Sequence, residues 1–275
     1  MSYLSLSTWS LHRNLGPLHW TVWDEGEKKH RVQIEPQPET VKLVDLPVVL
    51  ASKGFKAFEI CHFHFPNTES DYLQALQSAC KEANIKLHTL LIDYGDLTTD
   101  DEIRRDADMQ FIKEWIDIAS TVGAERVRVI AGDADPGDEK ALARSTHYLN
   151  ELVDYGKTKG VGIITENFRS LTSTADNCLK IVRSSNEQIG LTTDFGNFGG
   201  PTKYEEIAKI LPYSESVHAK ANFDSEGLPD EEEFRKCLDL LAPANYDGSL
   251  TLIYDGPGDM WEGIDRVRKI VETYL

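Results

Sequence analysis

The chain has 275 residues, 40% of them hydrophobic and 9% aromatic, so it can bury a sizeable core and is not intrinsically disordered. Its 46 acidic residues outnumber its 29 basic ones and give a net charge of -17 at neutral pH. A charge of this sign repels phosphate backbones, which argues against nucleic acid as a partner.

The cysteines and the termini indicate a compartment. Cys61, Cys80, Cys178 and Cys237 are scattered and form no CxxC pair, which is typical of reduced thiols in the cytosol. No stretch approaches the roughly 18 apolar residues of a membrane span, and the first residues lack the basic start of a signal peptide. We therefore expect a cytoplasmic protein with no membrane partner.

Strand-like and helix-like segments alternate along the chain without a linker or a change of composition. The predicted strands cover residues 3–11, 55–65, 85–93, 126–131, 161–166, 189–194, 214–220 and 248–256. The predicted helices cover residues 41–53, 70–83, 99–122, 138–159, 174–185, 203–211, 230–241 and 261–274. Eight such units predict an α/β fold, a single (β/α)8 TIM barrel over residues 1–275. A doubly wound open sheet is the alternative, but no GxGxxG motif follows the first strand.

Residues 12–40 interrupt this rhythm early in the chain. They contain three prolines, Trp20 and Trp23, and show neither helical nor strand periodicity. Long irregular segments in compact domains are usually functional or disordered, and the aromatic residues argue against disorder. We predict a lid-like insertion over the carboxyl ends of the strands, with a plain surface excursion as the alternative.

Three consecutive predicted strands end in side chains that bind metals. Glu166, Asp194 and His218 each follow a short apolar or β-branched run. In a parallel barrel these strand ends meet at one face, where the loops build the active site. Two carboxylates and an imidazole suit Mn²⁺, Mg²⁺, Co²⁺ or Zn²⁺, and Glu166 could also move a proton. The alternatives are helix N-caps for the two carboxylates and a core position for the histidine.

The sequence motifs at these strand ends resemble those of a known protein superfamily. The phrases around Glu166-Asn167, Asp194-Phe-Gly-Asn197 and His218-Ala-Lys220 resemble the xylose isomerase-like TIM-barrel superfamily, and so do the first strand and the phrase around Glu59. The superfamily includes sugar-phosphate isomerases and epimerases, inosose dehydratase and type 2 AP endonuclease. The resemblance implies that Glu166, Asp194 and His218 bind a divalent metal and that Glu166 is an acid/base residue. It also implies a small sugar or polyol substrate and a homodimer.

The last strand departs from that family pattern. The family usually ends this strand with a glutamate that is the fourth metal ligand and the second acid/base residue, and here Ile253 takes its place. Asp255 has the same parity one step further out, so it could replace the carboxylate, or it could belong to an ordinary turn. A three-ligand site keeps an open position but is expected to bind its metal weakly.

Other polar and aromatic residues are candidates for contact with the substrate or for a role in catalysis. Lys220 shares a face with His218 and is the preferred contact to a substrate hydroxyl. Either Lys220 or His62 could assist Glu166 in catalysis, and Asp255 is a further candidate. The candidate substrate contacts are Trp9, His62, His64, Arg128 and Asn197. Structural roles are the alternatives for the two histidines, for Arg128 and for the tryptophan.

The sequence therefore predicts a metal-dependent sugar or sugar-phosphate isomerase or epimerase that moves a proton next to a carbonyl. Two alternatives remain open: a lyase similar to inosose dehydratase, and a degenerate barrel that binds a sugar-like ligand without catalysis because of Ile253. The AP endonuclease branch is disfavoured, because the acidic chain shows no basic stripe for a nucleic-acid backbone.

Overall fold

Eight parallel strands close into a barrel with helices between them, in a computed structural model that describes residues 2–185 and 188–275. The predicted (β/α)8 fold is confirmed. Numbered in chain order together with a hairpin, the strands are β1 Tyr3–Ser7, β2 Leu18–Asp24, β3 Lys29–Glu35, β4 Ala57–Cys61, β5 Lys86–Leu91, β6 Arg126–Arg128, β7 Gly162–Glu166, β8 Ile189–Asp194, β9 Ser214–Lys220 and β10 Ser249–Ile253. Going round the barrel, the order is β1, β10, β9, β8, β7, β6, β5 and β4.

The helices cover the outside of this barrel and bury one face each. They are α1 Leu46–Ser52, α2 Ser70–Glu82, α3 Glu102–Val122, α4 Glu139–Lys159, α5 Ala175–Ser184, α6 Lys203–Ile210, α7 Glu231–Leu238 and α8 Met260–Val271. None of the helices in the described ranges is long and apolar enough to cross a membrane.

Capping residues fix where the long helices begin and end. The Asp101 carboxylate accepts hydrogen bonds from the Ile103 and Arg104 N–H groups, so α3 begins one residue later. Gly123 ends the same helix with a φ of 80°, a conformation that costs glycine little. Thr174 is the N-cap of α5, because its side chain accepts from the Asn177 N–H group.

The register of neighbouring strands determines which side chains meet inside the barrel. Asp194 on β8 is level with His218 on β9, and Glu166 on β7 is level with Thr192, two residues before Asp194. Lys220 at the end of β9 is level with Ile253 at the end of β10. Because side chains alternate along a strand, this register brings these residues to one end of the barrel.

The absence of strand periodicity in residues 12–40 is a wrong prediction. This segment contains the antiparallel hairpin of β2 and β3, with Trp20 opposite Gln33. Apart from the buried Leu18, the residues of β2 and β3 are half-buried or exposed on both faces, so the alternation that marks a half-buried strand is weak. Trp20 packs on Phe63, with ring centroids 4.2 Å apart, and the hairpin therefore lies against the barrel mouth. Its movement as a lid stays a prediction.

The predicted strand over residues 55–65 is too long. It ends at Cys61, and His62–His64 form a short 3-10 helix. The Cys61 N–H group donates to Thr8 Oγ1, and the same hydroxyl lies 2.8 Å from His64 Nδ1. These side-chain contacts replace the ladder hydrogen bonds that would continue the strand.

Acidification is expected to destabilise the fold through two buried histidines. Burial lowers the pKa of His62 to about 4 and that of His64 to about 3, from an ordinary value near 6.5. Between these values the unfolded chain binds more protons than the folded one, so stability is present above pH 6.5 and is lost as pH falls towards 4. The free energy of unfolding from urea titrations should fall by about 3 kcal/mol or more over that interval.

Two variants separate this effect from general acid denaturation. His64→Asn should show a shallower decline between pH 6.5 and 4 than the wild type, because one of the two imidazoles no longer takes up a proton. His147→Asn is the matched control, since His147 lies on the surface beside Glu151. If both variants decline as steeply as the wild type, the buried imidazoles do not cause the loss.

Candidate functional site

Glu166, Asp194 and His218 converge at the carboxyl end of the barrel, as the sequence predicts. One potential ligand atom of each lies within 4.8 Å of the others, and all three side chains are buried. His218 Nδ1 is 3.5 Å from Glu166 Oε1 and 3.5 Å from Asp194 Oδ2. Two carboxylate oxygens and one imidazole nitrogen facing one point form a donor set that suits a divalent metal.

The Glu166 carboxylate is held on one side and unsatisfied on the other. Asn197 donates a hydrogen bond of 3.0 Å to Glu166 Oε1. Arg128 Nε lies 3.0 Å from Glu166 Oε2, but its N–H is not aligned with that oxygen, and both buried atoms lack a hydrogen bond within the described residues. Buried carboxylate oxygens are seldom left without a partner, so Oε2 can accept a proton or a ligand hydrogen bond, whereas Oε1 is the oxygen beside His218.

Asp194 is fixed mainly through the backbone around it. Its N–H donates to Asn167 Oδ1 at 2.7 Å, and its carbonyl accepts from Asn167 Nδ2 at 3.0 Å. The Gly196 N–H donates to Asp194 Oδ1 at 2.6 Å, which leaves Oδ2 directed towards His218. One carboxylate oxygen therefore orients the side chain and the other faces the proposed metal position.

Sequence reasoning overlooked Glu59 as a site residue. This carboxylate is fully buried on β4, and its Oε2 lies 2.7 Å from His218 Nε2. Thr251 donates to its other oxygen at 3.3 Å. Because Nε2 is occupied by Glu59, His218 presents Nδ1 to Glu166 and Asp194. The signal available in the sequence was a carboxylate between Phe58 and Ile60 in an otherwise apolar strand.

The electrostatics of this cluster depend on the contact between Glu59 and His218. Burial disfavours the charged forms of both groups, but their mutual attraction outweighs burial. As a result the pKa of His218 lies well above its ordinary value, with Glu166 adding to the effect, and the pKa of Glu59 is lowered. A metal at Nδ1 would have to displace this proton, so its binding strengthens as pH rises.

On β10 the structure places Ile253 at the edge of the cluster. Ile253 is buried, lines the same cavity and lies level with Lys220. Asp255 also lines the cavity, but its carboxylate is 2.7 Å from Lys220 Nζ and is not part of the three-residue group. Burial by itself would lower the pKa of Lys220, but the negative charges of Asp194 and Asp255 outweigh this effect. The pKa is therefore raised above its ordinary value, and the side chain is held as an ammonium ion.

The cluster opens into a cavity of about 280 Å³, close to the lower end of the range for small-molecule sites. Its polar lining includes Asp93, Arg128 and Asn197, and its apolar lining includes Trp9, Trp20 and Phe63. Trp9 lines the cavity, and its contact with a substrate stays a prediction. Trp20 adds a wall from the hairpin.

Three of the residues predicted to contact the substrate are buried or bonded to other parts of the protein. His62 and His64 are buried beneath the hairpin and do not line the cavity. Arg128 lines the cavity, but it donates to the Ile92 carbonyl at 3.0 Å and to Asp93 Oδ1 at 2.6 Å. Its guanidinium also packs over the Phe168 ring, so little of it is left to bind a phosphate.

The comparisons with known proteins agree with this fold. A family profile described as xylose isomerase-like TIM barrel matches residues 48–270. None of the curated proteins matches the sequence significantly.

Solved structures share the fold at low sequence identity. A D-tagatose 3-epimerase-like protein is 19% identical with a TM-score of 0.69, and the match covers 99% of this chain and 97% of that one. An L-ribulose 3-epimerase is 14% identical with a TM-score of 0.71, covering 100% and 95%. A xylose isomerase-like TIM barrel protein from Mycobacterium smegmatis in complex with magnesium is 15% identical with a TM-score of 0.68, covering 100% and 97%. At these identities the likeness concerns the fold alone.

Replacing Glu59 by glutamine is expected to weaken metal binding without touching a metal ligand. The amide can no longer hold the His218 ring as a carboxylate does, and the loss of such an outer contact typically costs about 10- to 100-fold in affinity. Competition with a fluorescent chelator at pH 7.5 would measure the dissociation constants for Mn²⁺ and Zn²⁺.

Thr251→Val is the matched control, because it removes the other hydrogen bond to Glu59 and leaves the one to His218. Its metal affinity should stay within about threefold of the wild type. Equal affinities in Glu59→Gln and wild type would show that Glu59 has no part in holding a metal ligand.

Proposed function

The chain belongs to the xylose isomerase-like TIM barrel family, and from this we propose that it is a metal-dependent isomerase acting on a small sugar or polyol. The convergence of Glu166, Asp194 and His218 in one buried cavity carries the proposal. The proposed reaction moves a proton at a carbon next to a carbonyl. One structural neighbour is described as a magnesium complex, and others are described as sugar 3-epimerases, which agrees with this class.

Glu166, Asp194 and His218 would hold the divalent ion, which would polarise the carbonyl and adjacent hydroxyl oxygens of the substrate. Glu166 Oε1 and Asp194 Oδ2 each lie 3.5 Å from His218 Nδ1, so these three atoms face the same space. Glu59 keeps His218 in the required orientation through Nε2.

Glu166 is the proposed base. Its carboxylate removes a proton from the carbon next to the carbonyl, the electron pair moves onto the carbonyl oxygen, and an enediolate results. Glu166 then returns that proton to the former carbonyl carbon, and the hydroxyl proton on the carbon that was deprotonated passes to the former carbonyl oxygen, which completes the isomerisation. Asn197 fixes Oε1 and Arg128 lies beside Oε2, so the carboxylate keeps one position through both steps.

Lys220 is the proposed donor to the oxygen on which negative charge develops. Its ammonium group lines the cavity, and Asp255 holds it at 2.7 Å. A positioned cation at such an oxygen stabilises the transition state more than the ground state. Asp255 acts here by orienting Lys220 and takes no proton from the substrate.

Ile253 favours a reaction that uses a single base. A 3-epimerase with two bases needs a proton donor on each face of the substrate, and an isoleucine side chain can carry no proton. Isomerisation through an enediol needs Glu166 on one face only. The same observation favours a second candidate function, the binding of a sugar-like ligand without turnover. A dehydration with Lys220 as the acid is the remaining variant.

Proton exchange in D₂O tests the proposal directly. Protein with Mg²⁺ or Mn²⁺ is incubated with D-fructose, D-tagatose or L-ribulose, and deuterium at the carbons next to the carbonyl is followed by NMR. Catalysed exchange is expected, and Glu166→Gln should slow it by about 100- to 10,000-fold. Tight ligand binding without catalysed exchange would instead support the second candidate function, in which the protein binds a sugar-like ligand without turnover.

Metal content provides an independent measurement. Protein purified without chelator should carry one divalent ion per chain, and Glu166→Gln should lose it. Glu151→Gln, on the surface of α4, is the matched control and should keep the ion. If the wild type contains no divalent ion and still binds its sugar, the proposal that the enzyme is metal-dependent is wrong.

Ile253→Glu is expected to add a 3-epimerisation activity. The new carboxylate would supply the second proton carrier opposite Glu166, so 3-epimers should form beside the isomerisation product. Ile253→Gln has nearly the same size but carries no proton, and it should form no epimer. If the wild type itself produces 3-epimers at the rate of the glutamate variant, a second base exists elsewhere in the cavity.

A further inference from the structure

Asp93 is a cavity residue that the proposed chemistry leaves unused. It follows β5 directly, at the same end of the barrel as Glu166, and its side chain lines the cavity. One carboxylate oxygen, Oδ1, accepts a 2.6 Å hydrogen bond from Arg128. The other, Oδ2, is buried and has no hydrogen-bond partner within residues 2–185 and 188–275.

The backbone of Asp93 is held from behind by His62. The Asp93 N–H donates to His62 Nδ1 at 3.2 Å, and His62 Nε2 lies 3.4 Å from the Thr21 hydroxyl on the hairpin. Burial keeps His62 neutral, because it lowers the pKa of the imidazole to about 4. A neutral ring can accept the backbone hydrogen bond at Nδ1. The backbone position of Asp93 is therefore fixed before any ligand arrives.

Arg128 connects Asp93 to the proposed base. Its Nη2 bonds Asp93 Oδ1, and its Nε lies 3.0 Å from Glu166 Oε2. The two carboxylates thus flank a single guanidinium group, and each leaves one buried oxygen without a hydrogen bond. Both residues line the cavity, and the guanidinium group of Arg128 lies between their carboxylates.

We propose that Asp93 Oδ2 accepts a hydrogen bond from a substrate hydroxyl that lies beyond the carbons next to the carbonyl. The inference rests on the proposed function, and it narrows the substrate to a polyhydroxylated chain or ring longer than a three-carbon ketose. An unsatisfied buried carboxylate oxygen costs free energy, and a hydroxyl donor removes that cost. An analogue lacking the hydroxyl leaves the oxygen unpaired and is discriminated against.

Ligand binding to the Mg²⁺-loaded protein tests this assignment. The ligands are D-fructose, D-tagatose and L-ribulose, with dihydroxyacetone as the three-carbon ketose, and the readout is quenching of tryptophan fluorescence, since Trp9 and Trp20 line the cavity. At least one of the longer ketoses should bind at least 10-fold more tightly than dihydroxyacetone. Asp93→Ala should weaken that ketose by about 10-fold or more and leave dihydroxyacetone within twofold.

Asp133→Ala is the matched control, because Asp133 lies on the loop after β6 and does not line the cavity. It should leave all dissociation constants within twofold. The Asp93 inference is overturned if none of the longer ketoses binds, or if Asp93→Ala weakens dihydroxyacetone as much as the longer ketose.

Metal content separates this inference from the proposed function. Asp93→Ala should retain its divalent ion, whereas Glu166→Gln should lose it. Loss of the ion in Asp93→Ala would mean that Asp93 acts through Arg128 on the metal site, which overturns direct contact with the substrate. If the wild type holds no metal but Asp93→Ala still weakens only the longer ketose, the metal-dependent reaction fails and the hydroxyl contact stands.

Discussion

The hydrogen bond between Glu59 and His218 joins β4 to β9 across the barrel interior, and the candidate site depends on it. The two residues are 159 positions apart in sequence, and the atoms that join them are 2.7 Å apart. A carboxylate in the interior of a barrel is costly unless a charged partner and hydrogen bonds compensate it. Here His218 provides the charge, and Thr251 provides a further hydrogen bond. The direction of the His218 ring follows from this contact.

From His218 a continuous set of polar contacts runs along the barrel wall. His218 lies beside Glu166, Glu166 beside Arg128, Arg128 on Asp93, and the Asp93 backbone on His62. Each link fixes one residue relative to the next. Because neighbours in such a network are coupled, removing one member is expected to displace the next, and single-variant effects will not add. Metal content and ligand binding must therefore be measured on the same variants.

The sequence predicted the barrel and the three convergent side chains, because both follow from local patterns. Eight alternations of strand and helix imply the closed sheet, and Glu166, Asp194 and His218 end strands that a parallel barrel brings together. The hairpin was not predicted, since its strands are only partly buried and their alternation is weak. Glu59 and Asp93 were overlooked for a different reason. Their importance lies in contacts to His218 and Arg128, which are distant in sequence and depend on the strand order.

The cavity has two unlike walls, and this asymmetry bears on the proposed chemistry. One wall carries Glu166, Arg128 and Asp93, whereas Ile253 and Trp9 belong to the apolar lining. Lys220 is bonded to Asp255 and held as a cation, so it can donate a hydrogen bond but is poorly suited to remove a proton from carbon. Under the proposed function, a substrate between these walls exchanges protons on the Glu166 side only. The stereochemical outcome of the reaction would then depend on Ile253 of β10, because this apolar side chain cannot donate or accept a proton on the substrate face opposite Glu166.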